Sequence, residues 1–469
     1  MNSRKKEEIS SVDTNKKTNL YVRRLLILVK SLFFVLMEDI KKLYAIYKSC
    51  KSVEIDSRKI KANQLFFAFK GEHTDGHQYV KNVLEMPGCY AVVDNPEFDF
   101  GDKTIRVENT LDTLQELARY HRDQFDIPVL ALTGSNGKTT TKELILAVLE
   151  TRFKIHATQG NYNNHIGVPL TLLSASDDIE IMIIEMGANR LKDIEELCEI
   201  ADPDLGLITN IGTAHIGTFG SQENIIQGKT ELYRHIASKI EGKIFINKYD
   251  KLLLDNAPEN TELILYPDDS IEIRDKGMYL ELEDKTNAEI YNSHLTGIYN
   301  GSNMQTALAV GTYFGVDRNL ALQAISRYIS RMNRSELKLI GSVRLLLDAY
   351  NANPTSMKAS LESFDKQAGD AIRSVILGDM LELGKHEIQY HRDILDLVSK
   401  KKFSKVILIG PLFMAADSEN AFENYLSIED AIDAYKDNTG AFDNSYLLLK
   451  ASRSLMLEKF VSIFEKKED

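Results

Sequence analysis

At 469 residues the chain exceeds what one hydrophobic core usually serves, since compact domains hold roughly 100 to 200 residues, and several domains are expected. Its 43% hydrophobic and 27% charged residues describe a globular protein, and no run reaches the roughly 18 apolar residues of a membrane span, which excludes a channel or carrier. With 57 Lys plus Arg against 69 Asp plus Glu, the net charge of -12 opposes non-specific attraction to nucleic acid, so a polyanionic ligand needs local basic or helix-terminal sites.

Residues 1–37 form a Lys-rich polar start followed by an apolar stretch, Leu25 to Leu36. Lys30 splits that stretch and no small-residue cleavage site follows, so a translation start at Met37, with a non-native or loosely ordered extension before it, fits better than a signal peptide. Residues 38–126 read as a small α/β domain. Leu65 to Phe69 and Tyr90 to Val93 are strand-like and end in turn residues, and Leu111 to Phe125 has helical spacing. At Ile127 to Leu132 a buried-strand run opens a second domain, 127–334. Its apolar runs Glu180 to Glu185, Leu205 to Thr209 and Lys243 to Asn247 alternate with helical patterns such as Leu191 to Ile200, which predicts a parallel, doubly wound sheet. Short hairpins are expected over Asp268 to Asn292 and a helix over Asn303 to Phe314. Residues 335–469 repeat the strand–helix alternation through Val343 to Leu347, Ser374 to Leu377, Val406 to Ile409 and Tyr446 to Leu449, a third α/β domain. Cys50, Cys89 and Cys198 match no zinc spacing and cannot all pair, which suits a reducing cytoplasm.

The segment with the clearest chemistry is Thr133-Gly134-Ser135-Asn136-Gly137-Lys138-Thr139-Thr140, between a strand and a helix. Glycines let backbone N–H groups turn toward phosphate oxygens, the helix N-terminus adds positive potential, Lys138 supplies a cation, and the Thr139 hydroxyl can ligate Mg²⁺. The common form of this loop has glycine five residues before Gly137, where this chain has Leu132, so Gly134 makes a shorter cradle. Glu185 ends a strand at the edge where open α/β sheets place their sites and is a candidate Mg²⁺ ligand. His215 and Lys229 are bland taken singly, since such residues are usually solvated. Asn161, Asn163 and Asn164, in the run ending Gly167-Val168-Pro169, suit hydrogen bonding to a polar ligand or form a plain turn. Asp348 to Pro354 and Gly378 to Gly384 each follow a strand and could hold a ribose or a second substrate.

In this order, Thr133 to Thr140, Gly160 to Pro169, Glu185 to Asn189, Asp348 to Pro354 and Leu377 to Gly384 resemble the Mur ligase family, over about residue 38 to the C-terminus. The resemblance implies three domains: an N-terminal one holding the UDP end of the substrate, a central P-loop ATPase, and a C-terminal Rossmann-like domain. It also implies ATP-dependent, ADP-forming joining of D-alanyl-D-alanine to UDP-N-acetylmuramoyl-tripeptide through an acyl phosphate, by a cytoplasmic monomer with neither nucleic acid nor stable membrane insertion. By motif, Ser57 and Arg58 fall on the uridine side. Gly134 to Thr140 cradle ATP, with Lys138 on its β- and γ-phosphates; Thr139 and Glu185 hold one Mg²⁺, and His215 a second. Lys229 matches a position where lysine is commonly carbamylated and helps hold that second metal. Asn300 falls on the adenine side, Arg334 at the nucleotide, Asp348 on the ribose, and Asn161, Asn163, Asn164, Tyr350, Asn351 and Asn353 on the substrates. Lys450 to Arg453 resembles the family's closing Lys-Gly-Ser-Arg but carries Ala451 for glycine. Other Mur-type ligases and folylpolyglutamate synthetase share the core, and a nucleotide-binding regulator without catalysis is the alternative of another class.

Overall fold

The computed structural model describes residues 38–331, 333–367 and 372–465; the extension expected over 1–37 lies outside them. Two compact units form, one reaching to Phe125 with Leu172–Ser174 and the other holding Asp126–Thr171 and everything from Ala175 on.

In the first unit a helix over 38–49 precedes four parallel strands, β1 (Ser52–Glu54), β2 (Gln64–Phe67), β3 (Tyr90–Val93) and β4 (Thr104–Arg106), paired in that order. Phe66, Ala91 and Val93 pack with Val80 and Val83 of the helix Val80–Glu85. The helix Thr110–Arg122 starts where the Asn109 side chain accepts the Leu111 and Asp112 N–H groups, and it buries Leu114, Leu117 and Ala118 at helical spacing.

The second unit holds a six-stranded parallel sheet of β5 (Val129–Thr133), β6 (Ile155–Ala157), β7 (Ile181–Glu185), β8 (Leu205–Ile208), β9 (Lys243–Asn247) and β10 (Glu262–Tyr266), in the order β10-β9-β8-β5-β7-β6. The chain reverses direction across the sheet beside β5, and the loop after β5 therefore opens at the sheet's switch point. β5 begins two residues later than its apolar run, because Pro128 has no N–H to give a ladder. Three antiparallel strands follow, β11 (Ile271–Asp275), β12 (Leu280–Asp284) and β13 (Glu289–Asn292), which are the expected hairpins. Leu144, Ile145 and Val148 of the helix Lys138–Leu149 share one core with Met304, Ala307 and Leu308 of the helix Asn300–Tyr313.

A second six-stranded sheet comprises β14 (Glu336–Ile340), β15 (Val343–Leu347), β16 (Ile372–Gly378), β17 (Lys405–Ile409), β18 (Glu423–Tyr425) and β19 (Ser445–Lys450), in the order β14-β15-β19-β16-β17-β18, with only β14 antiparallel. Its strands are apolar on both faces: Leu345, Leu347, Ile376 and Leu449 pack with Phe442 and Phe460, while Leu346, Val375, Leu377 and Leu448 pack with Met357, Leu361 and Phe364. The edge strands β6, β10, β14 and β18 went unrecognised in the sequence because they are short or only partly buried.

Candidate active site

The loop between β5 and the helix Lys138–Leu149 turns on two glycines at positions where any side chain would be strained. Gly134 has φ +146°, and a Cβ there would stand 2.0 Å from Thr209 Oγ1; Gly137 has φ +79°, and its Cβ would meet Asn303 Oδ1 at 2.8 Å. The Asn210 backbone carbonyl accepts the Ser135 N–H (2.9 Å), and the Asn210 side chain accepts the Asn136 N–H (3.1 Å) and donates to Asn136 O (2.9 Å). Lys138 Nζ donates to Gly134 O at 2.7 Å. Burial lowers its pKa, with Arg334 adding to the fall and Glu185 opposing it.

Glu185, at the end of β7, is 1% exposed. Its Oε1 accepts from Thr139 Oγ1 (3.2 Å) and Asn163 Nδ2 (2.8 Å), and its N–H is held by Thr158 Oγ1 (3.0 Å). Its Oε2 is buried without a hydrogen-bond partner among the described residues. An orphaned carboxylate oxygen beside a helix-terminal threonine hydroxyl fits a hard divalent cation whose remaining ligands are phosphate oxygens and water. Among the described residues no three His, Cys, Asp or Glu side chains gather as a metal cage.

His215 stands in the left-handed region (φ 57°) on the loop after β8. Its Nδ1 pairs with Glu382, whose carboxyl is held below its ordinary range by that contact, and Gly217 N–H donates to Glu382 O at 2.9 Å. Lys229 is 1% exposed; its Nζ has Ala188 O at 3.5 Å and the Phe219 ring centre at 5.8 Å. Burial, then Lys138, push its pKa well below the ordinary lysine value against the weaker pull of Asp193 and Glu231.

One cleft of about 360 Å³ lies between the two six-stranded sheets' domains, with Lys138, Thr139, Asn163, Glu185, His215, Asn300, Arg334, Asp348, Tyr350, Asn351 and Asn353 on its wall; Lys229 does not line it but lies behind Ala188, which does. Asn300 Oδ1 accepts from Asn303 (2.8 Å), whose own Oδ1 accepts from Thr141 (3.0 Å). The Arg334 guanidinium lies 3.5 Å from the Tyr350 ring centre. Asp348 accepts from Lys450 Nζ (2.7 Å) and Ser335 N–H (3.2 Å), and Asn353 Nδ2 donates to Asn136 Oδ1 (2.8 Å), which ties the third domain to the phosphate loop.

Several sequence-predicted residues sit elsewhere. Asn161 and Asn164 are exposed and do not line the cleft, and Asn164 Oδ1 is taken by the Ile166 and Gly167 N–H groups as a helix cap. Ser57 and Arg58 belong to the other unit, where Arg58 pairs with Asp56 at 2.8 Å on the surface. In the segment Gly378 to Gly384, Asp379 accepts the Leu412 and Phe413 N–H groups at 3.0 and 2.8 Å and so caps a helix. Ala451 is accommodated because Gly378 faces it; a Cβ at 378 would lie 2.6 Å from that of Ala451. Sequence reasoning missed Asn210, Asn303, Tyr299 and Ser335 as cleft residues. Asn303 could have been found from its i, i+3 spacing to Asn300, whereas nothing local distinguishes Ser335.

Three family models match the chain: Mur ligase family, catalytic domain, over 49–122; Mur ligase middle domain over 132–311; and Mur ligase, glutamate ligase domain, over 330–453. The chain is 35% identical over 428 residues to the UDP-N-acetylmuramoyl-tripeptide–D-alanyl-D-alanine ligase of Bacillus subtilis, covering 87% of this chain and 92% of that one. Its fold is similar to a crystal structure of MurF from Acinetobacter baumannii, with TM-score 0.80, 27% identity and 89% and 94% coverage. It is similar also to MurF of Thermotoga maritima in complex with ADP, with TM-score 0.79, 25% identity and 90% and 98% coverage.

Proposed function

The chain belongs to the Mur ligase family, and on that premise we propose that it is an ATP-dependent, ADP-forming ligase that joins D-alanyl-D-alanine to UDP-N-acetylmuramoyl-tripeptide in the cytoplasm, as a step of peptidoglycan-precursor synthesis. The observation that carries the reading is the cleft in which a glycine-turned phosphate loop meets a buried carboxylate with one unpartnered oxygen. No helix among the described residues is long and apolar enough to cross a membrane.

Gly134 to Thr140 hold the triphosphate through backbone N–H groups, and Lys138 leaves Gly134 O to offset charge on the β- and γ-phosphates. Asn300 orients the adenine end, Arg334 reaches the nucleotide, and Asp348 takes the ribose. Thr139 and Glu185 would hold one Mg²⁺, and His215 with a carbamylated Lys229 a second; Mg²⁺ there supplies charge neutralisation between carboxylate and triphosphate. Lys229 suits that modification, since burial lowers its pKa and so favours the neutral amine, the form that is nucleophilic toward CO₂. The tripeptide carboxylate attacks the γ-phosphorus, ADP leaves, and the amine of D-alanyl-D-alanine displaces phosphate from the acyl phosphate; positioning does most of the work. Tyr350, Asn351, Asn353 and Asn163 offer hydrogen bonds to the reacting ends, and Ser57 and Arg58 to the uridine side.

The test is ADP and phosphate release with UDP-N-acetylmuramoyl-tripeptide, with and without D-alanyl-D-alanine, then with single amino acids and folates. Turnover should require the dipeptide. Turnover with a single amino acid and none with the dipeptide would overturn the assignment.

A further inference from the structure

The helix behind the phosphate loop buries a second lysine that the reaction outlined above leaves without a role. Lys142 is 1% exposed. Its ammonium donates to the backbone carbonyl of Thr158 and pairs with Glu143 Oε1 at 2.7 Å. Burying an ammonium is costly, and a tether between helix and sheet could be made more cheaply with apolar atoms. What the cation holds is specific. Thr158 directly follows β6, a three-residue edge strand that pairs only with β7. An edge strand this short has few ladder bonds to fix its end. Thr158 is fully buried, its N–H donates to Ile183 O (3.0 Å), and its hydroxyl accepts the N–H of Glu185 (3.0 Å). The chain leaving Thr158 also brings Asn163, which donates to Glu185 Oε1 at 2.8 Å and whose carbonyl accepts the Gly187 N–H at 2.7 Å. Both restraints on the Glu185 segment from this side therefore begin at the residue Lys142 grips.

We propose that Lys142 is a positioning residue for phosphoryl transfer: its buried ammonium clamps Thr158 at the end of the edge strand, and Thr158 in turn sets the backbone that aims the Glu185 carboxylate at the metal–phosphate position. The inference rests on the cleft being an ATP–Mg²⁺ site and adds to it a support one shell removed from the ligands. A lysine that merely filled the core would stabilise the fold and leave metal affinity untouched. The two roles separate in Lys142→Met, Thr158→Val and Thr158→Ser.

Mn²⁺ binding to the full-length protein with ADP, followed by electron paramagnetic resonance, reads the site without turnover. Loss of an outer support of a metal ligand weakens metal binding by about 10- to 100-fold. Lys142→Met and Thr158→Val should each show that loss, with a matching rise in the Mg²⁺ needed for half-maximal ADP release and little change in the KM for the UDP substrate. Thr158→Ser, which keeps the hydroxyl, should bind Mn²⁺ like the parent. If Lys142→Met does not fold, the Thr158 pair still decides. Mn²⁺ affinity within about twofold of the parent in Lys142→Met, or equal in Thr158→Val and Thr158→Ser, would overturn the proposal. Failure of the parent itself to bind Mn²⁺ with ADP would instead count against the ATP–Mg²⁺ reading.

Discussion

Replacing Lys229 by methionine should stabilise the protein and abolish ligation together. The side chain is 1% exposed, its amine has one acceptor at the long distance of 3.5 Å, and among the described residues no carboxylate lies within ion-pair reach. Burial, then Lys138, lower its pKa, so the folded protein holds this proton less tightly than the unfolded chain does. Each unit of that depression costs about 1.4 kcal/mol of folding free energy. Methionine has a similar length and no charge to shed, so a gain of about 1 to 3 kcal/mol follows, or roughly 2 to 5 °C in Tm. The sign with pH is fixed too. Because the unfolded state binds the extra proton, the parent's stability rises with pH from the folded pKa up to the ordinary lysine value of 10.5, and Lys229→Met lacks that slope. Thermal unfolding in CO₂-depleted buffer without ligands checks the stability, and ADP release checks the activity. Lys229→Ala, which leaves room, should recover part of its activity in short carboxylates. A Met variant that unfolds earlier than the parent, or that still turns over, would refute the reasoning.

Gly134→Ala places a Cβ 2.0 Å from Thr209 Oγ1 at φ +146°, so ADP affinity measured by calorimetry should fall by at least about tenfold. Gly378→Ala should cost about 1 to 3 kcal/mol in denaturant unfolding through overpacking against Ala451, and the double variant Gly378→Ala, Ala451→Gly should recover most of it. Asp284, held near pKa 2 by the Arg318 guanidinium, contributes stability that is present above its ordinary pKa and lost as pH falls through about 2. Asp284→Asn should therefore cost about 1 to 2 kcal/mol at pH 7, with the gap to the parent closing between about pH 4 and pH 2 in acid unfolding.

Much of the fold was legible because its signals are local. The central strands of both parallel sheets are buried on two faces and read as apolar runs, and the loop from Thr133 to Thr140 declares itself through glycine, lysine and threonine between strand and helix. Edge strands such as β14 and β18 were not, since a half-solvated strand need not be apolar throughout. Within the cleft, Glu185 was visible as a carboxylate ending a strand. Asn164 could not be decided from sequence, because an amide in a turn looks the same whether it awaits a ligand or caps a helix.

Residue type and order alone thus determined a phosphate loop, three α/β domains and a family resemblance. Only the tertiary structure decided which polar groups are spent and which remain available. Asn353 reaches Asn136, Lys450 reaches Asp348, and Gly378 makes room for Ala451, each across some 70 to 220 positions of chain. Lys229 shows the reason: a lysine in a helix is ordinarily a solvated cation, and nothing beside it in the chain says otherwise. Its isolation comes from Ala188, Phe219 and Lys138 folding around it, and burial without a counter-charge is a property of packing rather than of local sequence.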